Sequence, residues 1–370
     1  MSPFVKNFEE EISKWDEKLE EMRIIFDIWI DVQRRWVYLE GIFFGAADIK
    51  TQLPQEYSRF KSIDSEFVQL MKKVSAKPLT QEVYSISNLE KTLQRLSDML
   101  NKIQKALGEY LETQRSNFAR FYFVGDEDLL EIIGNAKDIT NIQRHFAKMF
   151  AGIANLKSPD GNELQGMFSR EGEYVSFKEK VLMSDDATIY ERLTRIELMM
   201  QSSLALELQK SVENLEIIDS SNQDTFLEWI ESYPAQIVLT AMSISWAQKI
   251  EDALKKTRKH LEATEENIGK FLIILADRVL NDLPKDIRQK YEQLITDLVH
   301  QRDTSRQLLE NQASSVEDFG WLYHMRYYWN SKEKDAVKKV EIKMANGVFH
   351  YGFEYLGVGE KLVQTPLTDR

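Results

Sequence analysis

The side chains best suited to chemistry in this sequence are five histidines, His145, His260, His300, His324 and His350, and one glycine-lysine segment, Gly357-Val-Gly-Glu-Lys361. Capture of a metal by histidine needs a second ligand about one helical turn away, as in HExxH, and none of the five has another histidine at that spacing. Each reads as a surface or packed residue. A loop that grips nucleotide phosphates needs GxxxxGK followed by Ser or Thr, so that backbone amides, an ammonium and a hydroxyl converge on phosphate and magnesium. Residues 357–361 are too short for this and no hydroxyl follows the lysine. The acidic runs Glu9-Glu10-Glu11 and Glu265-Glu266 lie on helical pattern and read as solvated faces. With no cysteine, disulfides, thiol nucleophiles and thiolate metal sites are excluded. The chain alone is therefore expected to carry no catalytic residue, no metal and no cofactor.

The elements that would have to position any site are helical. The chain has 370 residues, 43% of them hydrophobic and 29% charged, with only 15 Gly and 7 Pro, which argues against an all-β or disordered protein. A formal charge of −12 makes it a poor general binder of nucleic acid. No uncharged run reaches the length of a membrane span, and Phe271 to Ala276 is a core-sized run, so neither a membrane nor a nucleic acid is an expected partner. A reducing, cytoplasmic setting is compatible with the lack of cysteine.

Phe8, Ile12, Trp15, Leu19, Met22, Phe26 and Trp29 alternate steps of four and three, which predicts a long amphipathic helix to about Trp36. The aromatic block that follows, including Trp36, Tyr38, Phe43 and Phe44, is either a packed helix-to-helix corner or a docking surface. Pro54 opens a helix to about Val74, and Leu93, Leu96, Leu100, Ile103, Leu107 and Leu111 stripe a third. Phe118 to Val124 breaks the period, and Gly125-Asp126 can cap a short helix to Ile133. Asn141 can start the next.

The turn clusters Ser158-Pro-Asp-Gly-Asn162 and Arg170-Glu-Gly-Glu173 predict a β-meander within 153–177. Helices are expected from Asp186, over Thr225 to Tyr233, Pro234 to His260 and Leu261 to Leu283, and from Pro284 to about Glu310. The aromatic run Phe319 to Trp329 reads as mortar beside a terminal hairpin, in which Asn346-Gly347 supplies the tight turn between Val340–Met344 and Val348–Tyr355. The segment with Gly357, Gly359 and Pro366 needs something to pack against, so the chain is expected to be part of a longer protein.

The fold class predicted is mainly α, an elongated rod of helical bundles with a small mid-chain β-meander and a C-terminal β-hairpin. Four segments follow: a helical bundle over 1–124, short helices and meander over 125–180, a second bundle over 181–339, and the hairpin with a loop over 340–370.

The tail FHYGFEYLGVGEKLVQTPLTDR, Phe349 to Arg370, resembles the opening of the first AAA+ module of dynein heavy chains, a YGYEYLG block followed by RLVxTPLTDR. Blocks around Trp36–Phe43, Ile103–Leu111, Arg120–Glu131, Glu171–Phe177 and Trp321–Trp329 resemble the dynein linker in the same order, so the resemblance covers essentially the whole chain. Gly359-Glu-Lys361 departs from the family's usual residue before the basic position. The flavour is that of a cytoplasmic heavy chain of fungal type.

The resemblance implies a linker that bends and straightens over a ring of six AAA+ modules. It implies that Leu362, Val363, Thr365 and Pro366 line the adenine side of the first module's site, with ATP or ADP and Mg held only by the parent motor. It makes Trp36, Tyr38, Phe43 and Phe44 candidates for contact with the ring. The implied partners are that ring, microtubules, accessory chains and a second heavy chain, in a cytoplasmic, cytoskeletal setting. The alternative is a passive helical scaffold of spectrin-like or tethering-complex type; no repeat of fixed length supports it.

Overall fold

The computed structural model describes residues 8–45, 49–135, 139–159, 163–182, 187–215, 222–359 and 367. The fold is mainly α, with two small antiparallel sheets, and it divides into two compact units, Met1–Ala136 and Lys137–Arg370.

The first unit is built on three long helices: α1 (Glu9–Gly45), α3 (Pro54–Ala76) and α5 (Leu89–Asn117), with the short α2 (Ile49–Gln52) and α4 (Thr80–Tyr84) between them and α6 (Asp126–Gly134) after a 3-10 turn at Ala119–Phe123. The stripe on α5 is buried throughout, Leu93, Leu96, Leu100, Ile103, Leu107 and Leu111 facing α1 and α3. Helix α1 runs nine residues past the expected end. Leu39 and Phe43 continue the three-four spacing beyond Trp36, and propagating a formed helix costs less than breaking it. Gly41 does not stop it. The early part of the α1 stripe behaves differently: Ile12, Trp15 and Leu19 are exposed, whereas Met22, Ile25, Trp29 and Val32 are buried. Periodicity identified the helix there but not its covering.

The second unit opens with α7 (Ile139–Gln143) and α8 (Phe146–Met149), separated by a turn where one helix was expected. The meander follows as β1 (Asn155–Lys157), β2 (Glu163–Phe168) and β3 (Tyr174–Leu182), in order β1-β2-β3 with Leu156 opposite Met167 and Phe168 opposite Tyr174. Gly166 is required here: a Cβ would lie 2.5 Å from the Val175 carbonyl oxygen and 2.6 Å from the Tyr174 ring. The sheet rests on α9 (Ile189–Leu215), where Ser203 Oγ accepts from the Lys178 amide at 2.9 Å.

After α10 (Gln223–Ser232) comes α11 (Ala235–Lys255), which is buried on nearly every side, as its apolar sequence AQIVLTAMSISWA dictates. Helices α9, α12 (Arg258–Val279) and α13 (Lys285–Glu310) surround it. The α11–α12 break falls at Lys256-Thr257, earlier than expected. Thr257 is extended at the N-cap, and its hydroxyl lies 2.7 Å from His260 Nδ1.

The aromatic run is more than mortar. It contains α14 (Phe319–Leu322) and a strand, β4 (Arg326–Trp329), which pairs with β5 (Val340–Met344) and through it with β6 (Gly347–His350). Trp321 is wholly buried, edge-on to Trp246 at 5.1 Å. The hairpin turn lies one residue earlier than expected. Met344 pairs with Gly347, so Ala345-Asn346 form the loop, with Ala345 at φ 47°. Strand β6 also stops at His350, well short of Tyr355. The last backbone bond to β5 is from the Tyr351 amide to the Val340 carbonyl, 3.1 Å, and an irregular strap, 351–359, follows.

Candidate functional site: the strap at 351–359 and the aromatic corner

The strap has no ladder of its own, so its polar groups must find partners elsewhere. Helix α11 supplies several of them from its second residue. That residue, Gln236, is buried and holds the strap at two backbone points: its Nε2 donates to the Glu354 carbonyl at 2.7 Å, and its Oε1 accepts from the Leu356 amide at 2.9 Å. The same Nε2 reaches the Tyr351 hydroxyl at 2.6 Å. From the segment before β1, the Ala151 amide donates to Glu354 Oε1 at 2.9 Å. Gln293 on α13 donates to the Gly359 carbonyl.

The meander turn provides the other grip. Gly172, at φ 100°, lets the chain fold back so that Glu173 points inward. One carboxylate oxygen of Glu173 accepts from the Ala235 amide, the first of α11, at 2.7 Å; the other accepts from the Tyr355 hydroxyl at 2.8 Å. An anion at a helix N-terminus is favoured by the unpaired amides there. Tyr355 is wholly enclosed, and burial, followed by the charge and hydrogen bond of Glu173, pushes its phenol pKa far above the ordinary range. Its hydroxyl stays protonated and remains a donor.

Two glycines let the strap lie flush. A Cβ on Gly152 would sit 2.5 Å from the Tyr355 carbonyl oxygen, 2.6 Å from the Leu356 carbonyl carbon and 2.8 Å from the Gly357 nitrogen. Gly357 has φ 66° and lies against Ser169 and Glu171, whose Oε2 is 3.4 Å from the Val358 amide. Phe353 takes φ 50° while fully buried, an uncommon conformation for a bulky residue that its enclosure maintains. Beside the strap, a cleft of about 340 Å³ is lined by Thr240, Asp297, Tyr327, Tyr351 and Leu356. Burial, reinforced by Tyr351 and Asp297, pushes the Tyr327 phenol up to about 12.

Of the residues expected to line a nucleotide, Leu362, Val363, Thr365 and Pro366 lie outside the described residues. The strap that leads to them is described up to Gly359.

The aromatic corner lies in the first unit. Trp36 packs against Phe67 with the rings tilted and their centres 5.1 Å apart, and its indole N–H donates to Asp64 at 3.1 Å. Tyr38 donates to Asp126 at 3.0 Å, and Arg115 reaches the same carboxylate at 2.6 Å. Burial, then Asp126, raises the Tyr38 phenol to about 12. Phe43 is fully buried against Phe60, ring centres 5.1 Å apart. These three side chains are engaged within their own unit, as the packed-corner alternative requires. Phe44 is the one left open, 44% exposed while touching Tyr57 and Phe60 on one side.

Neither Glu173 nor Gln236 was singled out from sequence. Glu173 lies in the Arg170–Glu173 turn and in the Glu171–Phe177 block of the family resemblance, and Gln236 follows the helix-opening Pro234, but none of these signals marks a contact.

Residues 1–211 match the family described as "Dynein heavy chain, N-terminal region 2". Over its whole length the chain is 56% identical to the cytoplasmic dynein heavy chain of Paramecium tetraurelia, 52% to that of Dictyostelium discoideum and 48% to that of Neurospora crassa. It spans 8% of the length of each of these relatives.

Proposed function

We propose, from the premise that this chain belongs to the dynein heavy chain family, that it acts as the motor's mechanical linker, carrying displacement between an ATP-driven ring and the cargo-binding tail. The terminal motif resembles that of dynein heavy chains, and the cytoplasmic heavy chains matched include that of a fungus. One observation supports the lever reading above the others: the strap is held on α11 and the meander by side chains from both, through Glu173 and Gln236. A lever must grip the segment through which it is driven. A passive tether needs no such grip.

In this reading Leu362, Val363, Thr365 and Pro366 form the adenine side of the first module's site, and the ring binds ATP or ADP with Mg. The parent motor would engage microtubules, accessory chains and a second heavy chain in the cytoplasm. Contact with the ring falls to the exposed Phe44 with its helix neighbour Val37, since Trp36, Tyr38 and Phe43 are occupied by internal packing. Bending belongs between the bundle before Gly125 and the part after Phe177, where the helical pattern is interrupted longest.

The test is a full-length heavy chain in which the surface attachment is moved from the tail to residue 137, with 1–136 removed. A lever shortened in this way keeps ATP turnover but moves microtubules several-fold more slowly. Unchanged velocity would contradict the proposal.

A further inference from the structure

Three elements that are far apart in sequence meet at one carboxylate. Glu173 is 62 residues from Ala235 and 182 from Tyr355, and it is bonded to both. The meander presents it, α11 anchors it, and the strap hangs from it by a phenol. We infer that Glu173 and Tyr355 form a latch fixing the strap's position on α11, and that the latch sets how much linker displacement each ATP turnover yields. The inference rests on the linker reading and names the positioning residues within it.

Other side chains also hold the strap. Gln236 binds backbone groups of Glu354 and Leu356, so it would hold many sequences in similar fashion. The contact from Glu171 to the Val358 amide is long, 3.4 Å. Tyr355 is different. It is fully buried, its hydroxyl meets a buried carboxylate at 2.8 Å, and hydrogen bonds to a charged acceptor are about twice as strong as neutral ones.

The site around the latch is closed. Gly152 leaves no space behind residues 355–357, and Phe353 is fully buried. With the hydroxyl removed, the strap keeps its backbone bonds but loses its shorter tie to the meander, leaving the 3.4 Å contact of Glu171. The carboxylate then keeps Ala235 and loses a donor. Load along the strap would be taken up by slippage on α11 before the helical unit moved.

The experiment uses full-length heavy chain carrying Tyr355→Phe, Glu173→Gln, or both, with ATP turnover and microtubule gliding velocity measured on the same preparations. Tyr355→Phe is expected to retain most turnover while velocity per turnover falls several-fold. Glu173→Gln should fall less, because its amide still accepts from Ala235 and donates to the phenol oxygen. The double variant should be no worse than Tyr355→Phe, since both changes act on the same contact.

An unchanged ratio of velocity to turnover in Tyr355→Phe overturns the latch. So does a proportional fall of both quantities in all three variants, the signature of lost folded motor. If Tyr355→Phe does not fold, Glu173→Gln decides alone, and an unchanged ratio there overturns the proposal. A nucleotide-dependent distance change between labels on residues 105 and 259 of the unmodified motor separates the two failures. If that change is absent, the linker reading itself fails; if it is present while the ratio is unchanged, only the latch fails.

Discussion

Gly152→Ala is the sharpest probe of the packed strap, because the added methyl has nowhere to go. The ideal Cβ falls 2.5, 2.6 and 2.8 Å from three backbone atoms of residues 355–357. An ordinary contact needs about 3.4 Å or more, so the strap or the 152 backbone must shift by about 1 Å, and overpacking of this kind costs about 1–3 kcal/mol. Stretching the Gln236–Leu356 hydrogen bond would add about 1 kcal/mol. The expected loss is therefore about 2–4 kcal/mol in the second unit, read as a lower urea midpoint with an unchanged slope.

Gly269→Ala in α12 is the control. Nothing lies within 4 Å of its Cβ position, so the same chemical change should stabilise by about 0.5–1 kcal/mol through helix propensity alone. Amide exchange provides a local readout, since Leu356 should lose protection in Gly152→Ala and keep it in Gly269→Ala. If Gly152→Ala stays within about 0.5 kcal/mol of the parent chain with Leu356 still protected, the close packing of the strap is refuted.

Two further outcomes follow from the same physical reading. Phe43→Ala should cost about 3–5 kcal/mol by cavity formation, whereas Phe44→Ala, half open to solvent, should cost under about 1 kcal/mol in thermal unfolding; equal losses would contradict the packed corner. His324 is held down to about 4 by burial, then by His300 and Arg326, so the folded chain prefers it neutral. The unfolded chain then binds more protons below about pH 6.5, and stability falls with acidification by up to about 2 kcal/mol at about pH 5. His324→Asn should flatten that part of the pH profile, and an unchanged slope would exclude His324 as its source.

Helices were the most legible part of the sequence, because a stripe such as Leu93 to Leu111 encodes both the period and the buried face. Burial was less so. Ile12, Trp15 and Leu19 carry the same period as Trp29 yet are exposed, since periodicity does not specify a covering partner. Strand β4 was hidden because Arg326-Tyr-Tyr-Trp329 shows no alternation; its pairing depends on β5, with Tyr328 opposite Glu341. The hairpin turn was displaced by one residue because register with Met344 and Gly347 outweighed the local Asn-Gly signal. The grip on the strap left almost no local trace. Glu173, Gln236 and Tyr355 are single residues in separate elements, and only the tertiary fold brings Glu173 to Tyr355 and Gln236 to the strap backbone. The family resemblance directed attention to the terminal segment but did not name its anchors.

The central claim is that this chain moves as a lever. Labels introduced at Lys105 on α5 and Lys259 on α12, both solvent-exposed, in a full-length heavy chain report on it most directly. A lever predicts that their separation changes reproducibly between the nucleotide-free, ATP-analogue and ADP states, at constant labelling and with turnover preserved. A separation that is the same in every nucleotide state would contradict the account and favour a passive scaffold.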